Sequence, residues 1–378
     1  MKGDAKQNLL FYTKRERTRM HQTMFPASLA IAGGWGYIGQ KFISAALKNG
    51  INVWVLDPGN VPEFIDTNVV KHIYDEQEFL SLPAAMYYLA LHPQHRGPLL
   101  HALMKRSMDE PGIPILVEKP LVSWDKPQNC NKIIKQIESG RAFVFYDFLE
   151  LFDPMTSHII NYLKQFQELS ITDVVLKRSK DREDPAIPRN YKPMQPIQYQ
   201  ESCHCLAFLI FILANITRGL EVSLSVPVTI CAQSCLYNPP APELFPRPVD
   251  GRCEAEIHFG EIAVTLYTDF KRGAPWQKTK IINGIGDGTP FCIEAEYLEG
   301  AKVLAINGVD QGFAPDSDAC EHVLAGIWRM VHTTAVADDQ KNIYPDVAIA
   351  RWVYVLSAIL HQSCATGKPV QIPCLAAL

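Results

Sequence analysis

The sequence contains no uninterrupted apolar run long enough to cross a bilayer. The longest, Cys205–Ile216, has His204 at its edge and falls short of the roughly 20 residues that a spanning helix needs. The first residues lack an apolar core and a small-residue cleavage site, so no secretory signal is expected. Charge imbalance is also absent. There are 36 Lys and Arg against 40 Asp and Glu, a net charge of −4, which gives no general attraction to nucleic acid or to an acidic membrane. The ten cysteines form no framework. Cys203 and Cys205 flank His204, and Cys231 and Cys235 sit four apart, but neither pair has a second pair at zinc-site spacing. No metal site is expected. The reading is of reduced, mostly buried thiols in a cytoplasmic protein. No internal repeat and no low-complexity segment is present.

What is there is ordinary globular composition: 378 residues, 47% hydrophobic and 20% charged, enough for two sizeable cores. Residues 1–24 are polar, with Lys14, Arg15, Arg17 and Arg19 clustered. They read as an extension or an oligomer arm, and Asp4 and Glu16 argue against a transit peptide. Residues 25–150 alternate strand-like and helix-like segments. Leu29–Ala32 is a short apolar strand, Tyr37–Asn49 a helix stopped by Gly50, and Val53–Leu56 a second strand. Met86–Leu91, Ile113–Val117 and Phe143–Phe145 add further strands. This βαβ rhythm predicts a doubly wound parallel sheet.

Near residue 150 the rhythm changes. Asp153-Pro154 reads as a helix cap with proline in the first turn. Lys177–Pro196 is charged and proline-containing and reads as loop, and Gln200–Leu213 reads as a buried helix. Val222–Gln233, Cys253–Phe259, Ile262–Phe270, Thr279–Ile285, Phe291–Tyr297 and Lys302–Ile306 read as strands joined by turns, one of them a hairpin at residues 284–288. Cys320–Val336 and Val347–Cys364 read as helices. Residues 151–378 are thus expected to form an α+β domain on an open, mostly antiparallel sheet flanked by helices.

Gly34-Trp35-Gly36-Tyr37-Ile38-Gly39 is a G-x-G-x-x-G run that follows a strand and opens a helix. Gly34 permits a tight turn, Gly36 lets backbone approach a pyrophosphate, and Gly39 lets helix pack on strand. The helix N-terminus offers free N–H groups to phosphate. Asp57 ends the second strand. A carboxylate there would accept from both adenosine ribose hydroxyls and repel a 2′-phosphate, which favours NAD over NADP.

At Glu118-Lys119-Pro120 the chain resembles the Gfo/Idh/MocA oxidoreductases, named for glucose–fructose oxidoreductase, inositol dehydrogenase and a rhizopine-catabolism protein. The resemblance runs from the glycine motif and Asp57 through His92-Pro93-Gln94, Glu118-Lys119-Pro120 and Phe152-Asp153-Pro154. It ends at Ser363-Cys364-Ala365-Thr366-Gly367-Lys368-Pro369-Val370. It implies that Glu118, Lys119, His92, Pro93 and His95 lie by the cofactor, and that the Pro120 peptide is cis. It also implies that Lys119 stabilises charge on the reacting oxygen. The family's Asp-x-x-x-His step matches Gln200-Glu201-Ser202-Cys203-His204. His204 would then be the general base, and Gln200, on the same helix face, would stand in for the usual aspartate. A neutral amide orients an imidazole but cannot stabilise imidazolium by charge, and Glu201 would point elsewhere.

Other residues keep two readings. His92 and His95 suit the cofactor edge or a local capping role. Tyr191 and Tyr199 suit a substrate cleft or aromatic packing, and Arg182 and Arg189 an acidic substrate group or a solvated loop. The activity implied is NAD-dependent hydride transfer to or from a sugar, cyclitol or sugar-derived carbonyl. The alternatives are redox-assisted glycoside cleavage and a non-catalytic cofactor-binding regulator. Such proteins commonly bury their open sheet against another subunit, which implies a homodimer or homotetramer.

Overall fold

The computed structural model describes residues 24–63, 65–182, 195–217, 225–237, 248–270, 276–333 and 343–374. In chain order the elements are β1 (Ser28–Ala32), α1 (Tyr37–Lys48), β2 (Asn52–Leu56), β3 (Val70–Ile73), α2 (Glu76–Ser81), β4 (Met86–Leu89), α3 (Gly97–Arg106), β5 (Pro114–Val117), α4 (Cys130–Glu138), β6 (Phe143–Tyr146), α5 (Pro154–Lys164) and β7 (Leu169–Ser179). Then come a π-helical turn (Gln198–Ser202), α6 (Cys203–Ile216), β8 (Val228–Tyr237), β9 (Val249–Phe259), β10 (Ile262–Asp269), β11 (Thr279–Gly286), β12 (Thr289–Glu296), β13 (Val303–Ile306), β14 (Val309–Asp310), α7 (Ala319–Thr333), α8 (Val347–Thr366) and β15 (Val370–Ile372).

The chain divides into two compact units. The first runs to Glu118 and takes in Glu138–Phe145 and Cys320–Gln340; the second holds Lys119–Ile137, Tyr146–Ala319 and Lys341–Leu378. In the first, the strand order is β3-β2-β1-β4-β5-β6, with β3, β2, β1, β4 and β5 paired in parallel. That is the doubly wound order, and its switch point lies between β1 and β4. Residues 28–32 of β1 and 86–89 of β4 are buried throughout, as a sheet covered on both faces requires. The βαβ rhythm of the sequence is thus present, with β3, α2 and α4 added as short elements that it did not mark.

The second unit is a mixed, mostly antiparallel nine-stranded sheet, β14-β13-β12-β11-β7-β10-β9-β8-β15, in which β7 and β10 pair in parallel. Strand register builds its core. Ile230, Ile257, Val264, Val174, Ile282, Ile293 and Ile306 stand opposite one another across seven strands, and all are buried. Burial of each such side chain contributes about 1.5–3 kcal/mol. The next row, Cys231, Glu256, Thr265, Val175, Ile281, Glu294 and Ala305, faces the other way and is exposed or half-buried. The hairpin at Asp287-Gly288 turns on two residues with positive φ, 48° and 77°, as a two-residue hairpin of this hand demands.

Three sequence expectations change. Lys177, Arg178 and Ser179, read as loop, close the eleven-residue strand β7. Their charges hid a strand that pairs on both sides. Residues 198–216 form one apolar stretch of helix, and α8 is a second. Both are long and apolar enough to cross a membrane, but most of the first and half of the second lie buried inside the protein, as core helices do. All ten thiols are free, but only Cys203, Cys205, Cys253 and Cys320 are buried, while Cys231 and Cys235 are exposed. The alternation of β8 puts the last two on its outer face.

Candidate functional site

In the first unit the glycine run leaves β1 and enters α1. The turn's left-handed residue is Gly33 (φ +82°) rather than Gly34. Gly34 is required for a different reason: a Cβ there would lie 2.5 Å from Val55 Cγ1. A Cβ on Gly39 would lie 2.6 Å from the carbonyl oxygens of Gly33 and Gly34, so close helix–strand packing depends on it. Gly36 is the N-cap of α1, with no side-chain cap and no acidic residue in the first turn. Tyr37 and Ile38 follow as the first helical residues. The N-terminal N–H groups of α1 thus keep the partial positive charge that suits an anion.

Asp57 closes β2. Its Oδ2 accepts from Trp35 N (3.0 Å) and its Oδ1 from Gly59 N (2.9 Å). The Trp35 indole meets His72 edge-on at 5.3 Å. A carboxylate oxygen has two lone pairs, so each Asp57 oxygen retains acceptor capacity for a ribose hydroxyl. The bare helix N-terminus, the glycine cradle and this carboxylate fit an adenine dinucleotide.

Around β4 and β5, His92 is half-buried and His95 exposed. His92 Nδ1 accepts from Gln94 N at 3.4 Å, and the two imidazoles lie 6.4 Å apart. Pro93 is half-buried between them. The Glu118 carbonyl accepts from the guanidinium of Arg96, a side chain with no solvent exposure. Sequence reasoning passed over Arg96, because nothing in a lone loop arginine signals that it pins a strand end.

In the second unit, Lys119 begins at a cis peptide to Pro120. Its ammonium donates to the Gln200 carbonyl at 2.7 Å. Gln200 belongs to the π-helical turn. Its Oε1 accepts from Gln195 N at 3.1 Å. The change from π to α pitch between residues 202 and 203 breaks the simple four-residue spacing of the sequence reading.

The turn is pinned to three adjacent strands. Gln198 donates to Asp250 of β9 (2.9 Å), Ser202 bonds Thr268 of β10 (2.8 Å), and Glu201 pairs with Arg178 of β7 (2.7 Å). His204 follows on the first turn of α6, 6% exposed, with its ring 6.0 Å from Phe148. Burial, then the nearby cations Arg178 and Lys119, hold its imidazole well below its usual pKa of 6.5. It is therefore neutral near pH 7, the form that accepts a proton.

Beneath the turn lies a charge cluster that the sequence did not reveal. Glu201 faces Arg178, Lys180 (3.2 Å) and Arg182 (3.6 Å), while Glu150 faces Arg178 and Lys280 (3.3 Å). Burial works against the charge of Glu150, yet Lys280 and Arg178 outweigh it and hold its carboxyl at about 2. Glu201 is likewise held well below the carboxylate range: burial opposes its charge, and Lys180 and Arg178 prevail. The reading that Glu201 points elsewhere is therefore met by a destination. Tyr199 packs against Tyr354 (5.5 Å) and His361 (5.9 Å), and burial pushes its phenol up to about 12. Tyr191 and Arg189 lie outside the described residues.

Together the two units define a class: a doubly wound α/β unit followed by an open-sheet α+β unit, the Gfo/Idh/MocA fold that the resemblance implied. No family model matches the chain, and no curated protein matches it in sequence. Solved structures do. A myo-inositol dehydrogenase from Corynebacterium glutamicum matches with TM-score 0.61 and 14% identity, over 91% of this chain and 98% of that one. An oxidoreductase from Agrobacterium radiobacter, in complex with NAD+, L-tartaric acid and magnesium, matches with TM-score 0.64 and 13% identity, over 93% and 99%. A super-repressor mutant of Gal80p from Saccharomyces cerevisiae matches with TM-score 0.68 and 11% identity, over 93% and 100%. At such identities the likeness establishes the fold.

Proposed function

We propose that this chain is an NAD-dependent oxidoreductase acting on a sugar, a cyclitol or a sugar-derived carbonyl or alcohol, with Lys119 and His204 handling the substrate oxygen. The observation that carries this reading is the joining of the two side chains through one turn. Lys119 is tied to the Gln200 carbonyl, and the same turn leads into a buried His204 that burial keeps neutral.

Gly34, Gly36, Gly39 and the N-terminus of α1 would hold the pyrophosphate of the dinucleotide, and Asp57 the adenosine ribose. Trp35, Tyr37 and Ile38 would border it, as would His92, Pro93, His95 and Glu118. The Asp57 carboxylate disfavours a 2′-phosphate and so supports NAD over NADP. When bound, a nicotinamide supplies the acceptor or donor of a hydride. The chain's own part is proton handling. His204 takes the hydroxyl proton in oxidation, and Lys119 donates a hydrogen bond to the oxygen as negative charge develops on it. In reduction the proton returns from His204. Gln200 acts through its backbone by positioning Lys119. Tyr199 would steady that turn from behind, and Tyr191 would border the substrate.

Isothermal titration with NAD+ and NADP+, followed by an absorbance screen at 340 nm with a sugar and polyol panel, tests this. Uptake of NAD+ and a rise in absorbance with one substrate class are expected. No uptake of either coenzyme would end the proposal. A second reading, a cofactor-binding regulator, draws on the missing carboxylate at Gln200 and on the fold shared with Gal80p. It requires NAD+ uptake without turnover on any substrate. We also propose a homodimer or homotetramer through the open sheet, where Ile285 and Val303 are 43% and 47% exposed. Light scattering that gives a monomer at micromolar concentration would overturn it.

A further inference from the structure

Away from Lys119 and His204, the last turn of α8 brings Cys364 against Cys253 of β9. Their sulfurs lie 3.8 Å apart. Gln198 Nε2 donates to Cys364 Sγ at 3.4 Å and to Asp250 Oδ2 at 2.9 Å. Asp250 also accepts from Ser234 Oγ (2.9 Å) and faces His361 Nδ1 (3.1 Å). Cys253 is fully buried, whereas Cys364 is half-buried. Ser363, next in the helix, accepts from Ala232 N at 3.0 Å and fixes this turn on β8.

We propose that Cys364 and Cys253 form a peroxide-reactive dithiol, with Cys364 the attacking sulfur and Cys253 the resolving one. The hydrogen bond from Cys253, followed by those from Gln198 and Ser234, draws the Cys364 thiol below its usual range. The shared proton and burial push Cys253 up. Cys364, the less buried of the two and the one that accepts from Gln198, is the sulfur a peroxide reaches, and its thiolate, the nucleophilic form, is the one favoured. The other cysteine pair near functional residues is different: burial pushes the thiols of Cys203 and Cys205 up.

The oxidant is a hydroperoxide. The Cys364 thiolate attacks its terminal oxygen, the O–O bond breaks, and the leaving alkoxide (hydroxide when the oxidant is hydrogen peroxide) takes up the proton that Cys364 had released to solvent. Cys364 becomes a sulfenic acid. Cys253 sulfur then attacks Cys364 sulfur, and the S–O bond breaks. The departing hydroxide takes the Cys253 proton and leaves as water. Two thiols lose two electrons, and the peroxide becomes an alcohol and water. The sulfurs must close from 3.8 Å to about 2.05 Å, a shift of less than 2 Å. Disulfide formation removes the thiolate that Gln198 bonds, and Gln198 opens the π-helical turn that carries Gln200.

The test treats the reduced full chain with hydrogen peroxide, blocks remaining thiols with N-ethylmaleimide and maps the peptides by mass spectrometry. A Cys253–Cys364 cross-linked peptide is expected to appear before modification of exposed Cys231 or Cys235. Cys253→Ser should instead accumulate a dimedone-trapped sulfenic acid at Cys364, and Cys364→Ser should consume hydrogen peroxide at least tenfold more slowly than the unsubstituted chain. Should either variant fail to fold, the order of modification in the unsubstituted chain decides alone. Faster reaction at Cys231 or Cys235, or no cross-linked peptide, would overturn the proposal. Hydrogen exchange in the peptide covering residues 198–204 should rise on oxidation; unchanged exchange would overturn the link to the turn.

Discussion

The glycine loop of the first unit and the π-helical turn of the second are both built to place polar groups, but they do so by opposite means. The loop uses backbone. Gly34 and Gly39 are needed because Val55 and the Gly33 and Gly34 carbonyls leave no room for a Cβ, and the Asp57 carboxylate accepts from two backbone amides. The turn uses side chains from far along the chain. Gln198, Glu201 and Ser202 reach three strands, and Lys119 arrives from residues far earlier in the sequence. A site made of backbone is encoded by adjacent residues, whereas a site made of side chains depends on the whole sheet beneath it.

The sharpest way to break this comparison is His204→Ala. Turnover should fall about 10²–10⁴-fold, the usual contribution of a general base, while NAD+ affinity by calorimetry stays unchanged. Equal turnover would remove His204 from the chemistry. Glu201→Gln comes next. It leaves the buried Arg178 and the half-buried Lys180 facing a neutral amide and should cost about 3–5 kcal/mol, read as a lowered urea midpoint. A midpoint shift under about 1 kcal/mol would mean that water or a neighbouring carboxylate shares the cluster.

Gly39→Ala should cost about 1–3 kcal/mol through backbone overlap and weaken NAD+ binding, with turnover at saturating coenzyme nearly retained. Retained affinity would detach the loop from the dinucleotide. The smallest effect is in pH. The folded imidazole of His204 lies below its unfolded value of 6.5, so the unfolded chain binds that proton first. The stability that follows from its neutrality is complete above pH 6.5 and declines as pH falls below it, by at most about 1.4 kcal/mol per unit. His204→Gln should flatten the urea midpoint between pH 7 and pH 5; an unchanged slope would show that other groups set it.

Legibility in the sequence follows the same division. The strands of the first unit other than β3 were readable because they are short apolar runs between glycines and helices, whereas Val70–Ile73 carries Lys71 and His72 and was passed over. In the second unit, β8 to β13 were readable by alternation, the hairpin by Asp287-Gly288, and the helix cap by Asp153-Pro154. The strand β7 was not, because Lys177 and Arg178 look like loop residues until the buried partners of Arg178 are known. Gln200 and His204 were found as a spaced pair, but the spacing assumed one helical pitch. Glu150, Arg178 and Lys280 left no signal, since each is an isolated charge in the sequence.

By itself the sequence determined the two fold classes and the glycine loop with its carboxylate, because periodicity and local motifs act over a few neighbouring residues; Lys119 and His204 were singled out by the resemblance, as candidates. Tertiary structure alone decided that Glu201 faces a cation cluster, that Gln200 holds Lys119 by its carbonyl, and that Cys253 meets Cys364. Those outcomes depend on the register of a nine-stranded sheet, which brings together groups separated by many tens of residues, and no local pattern carries that information.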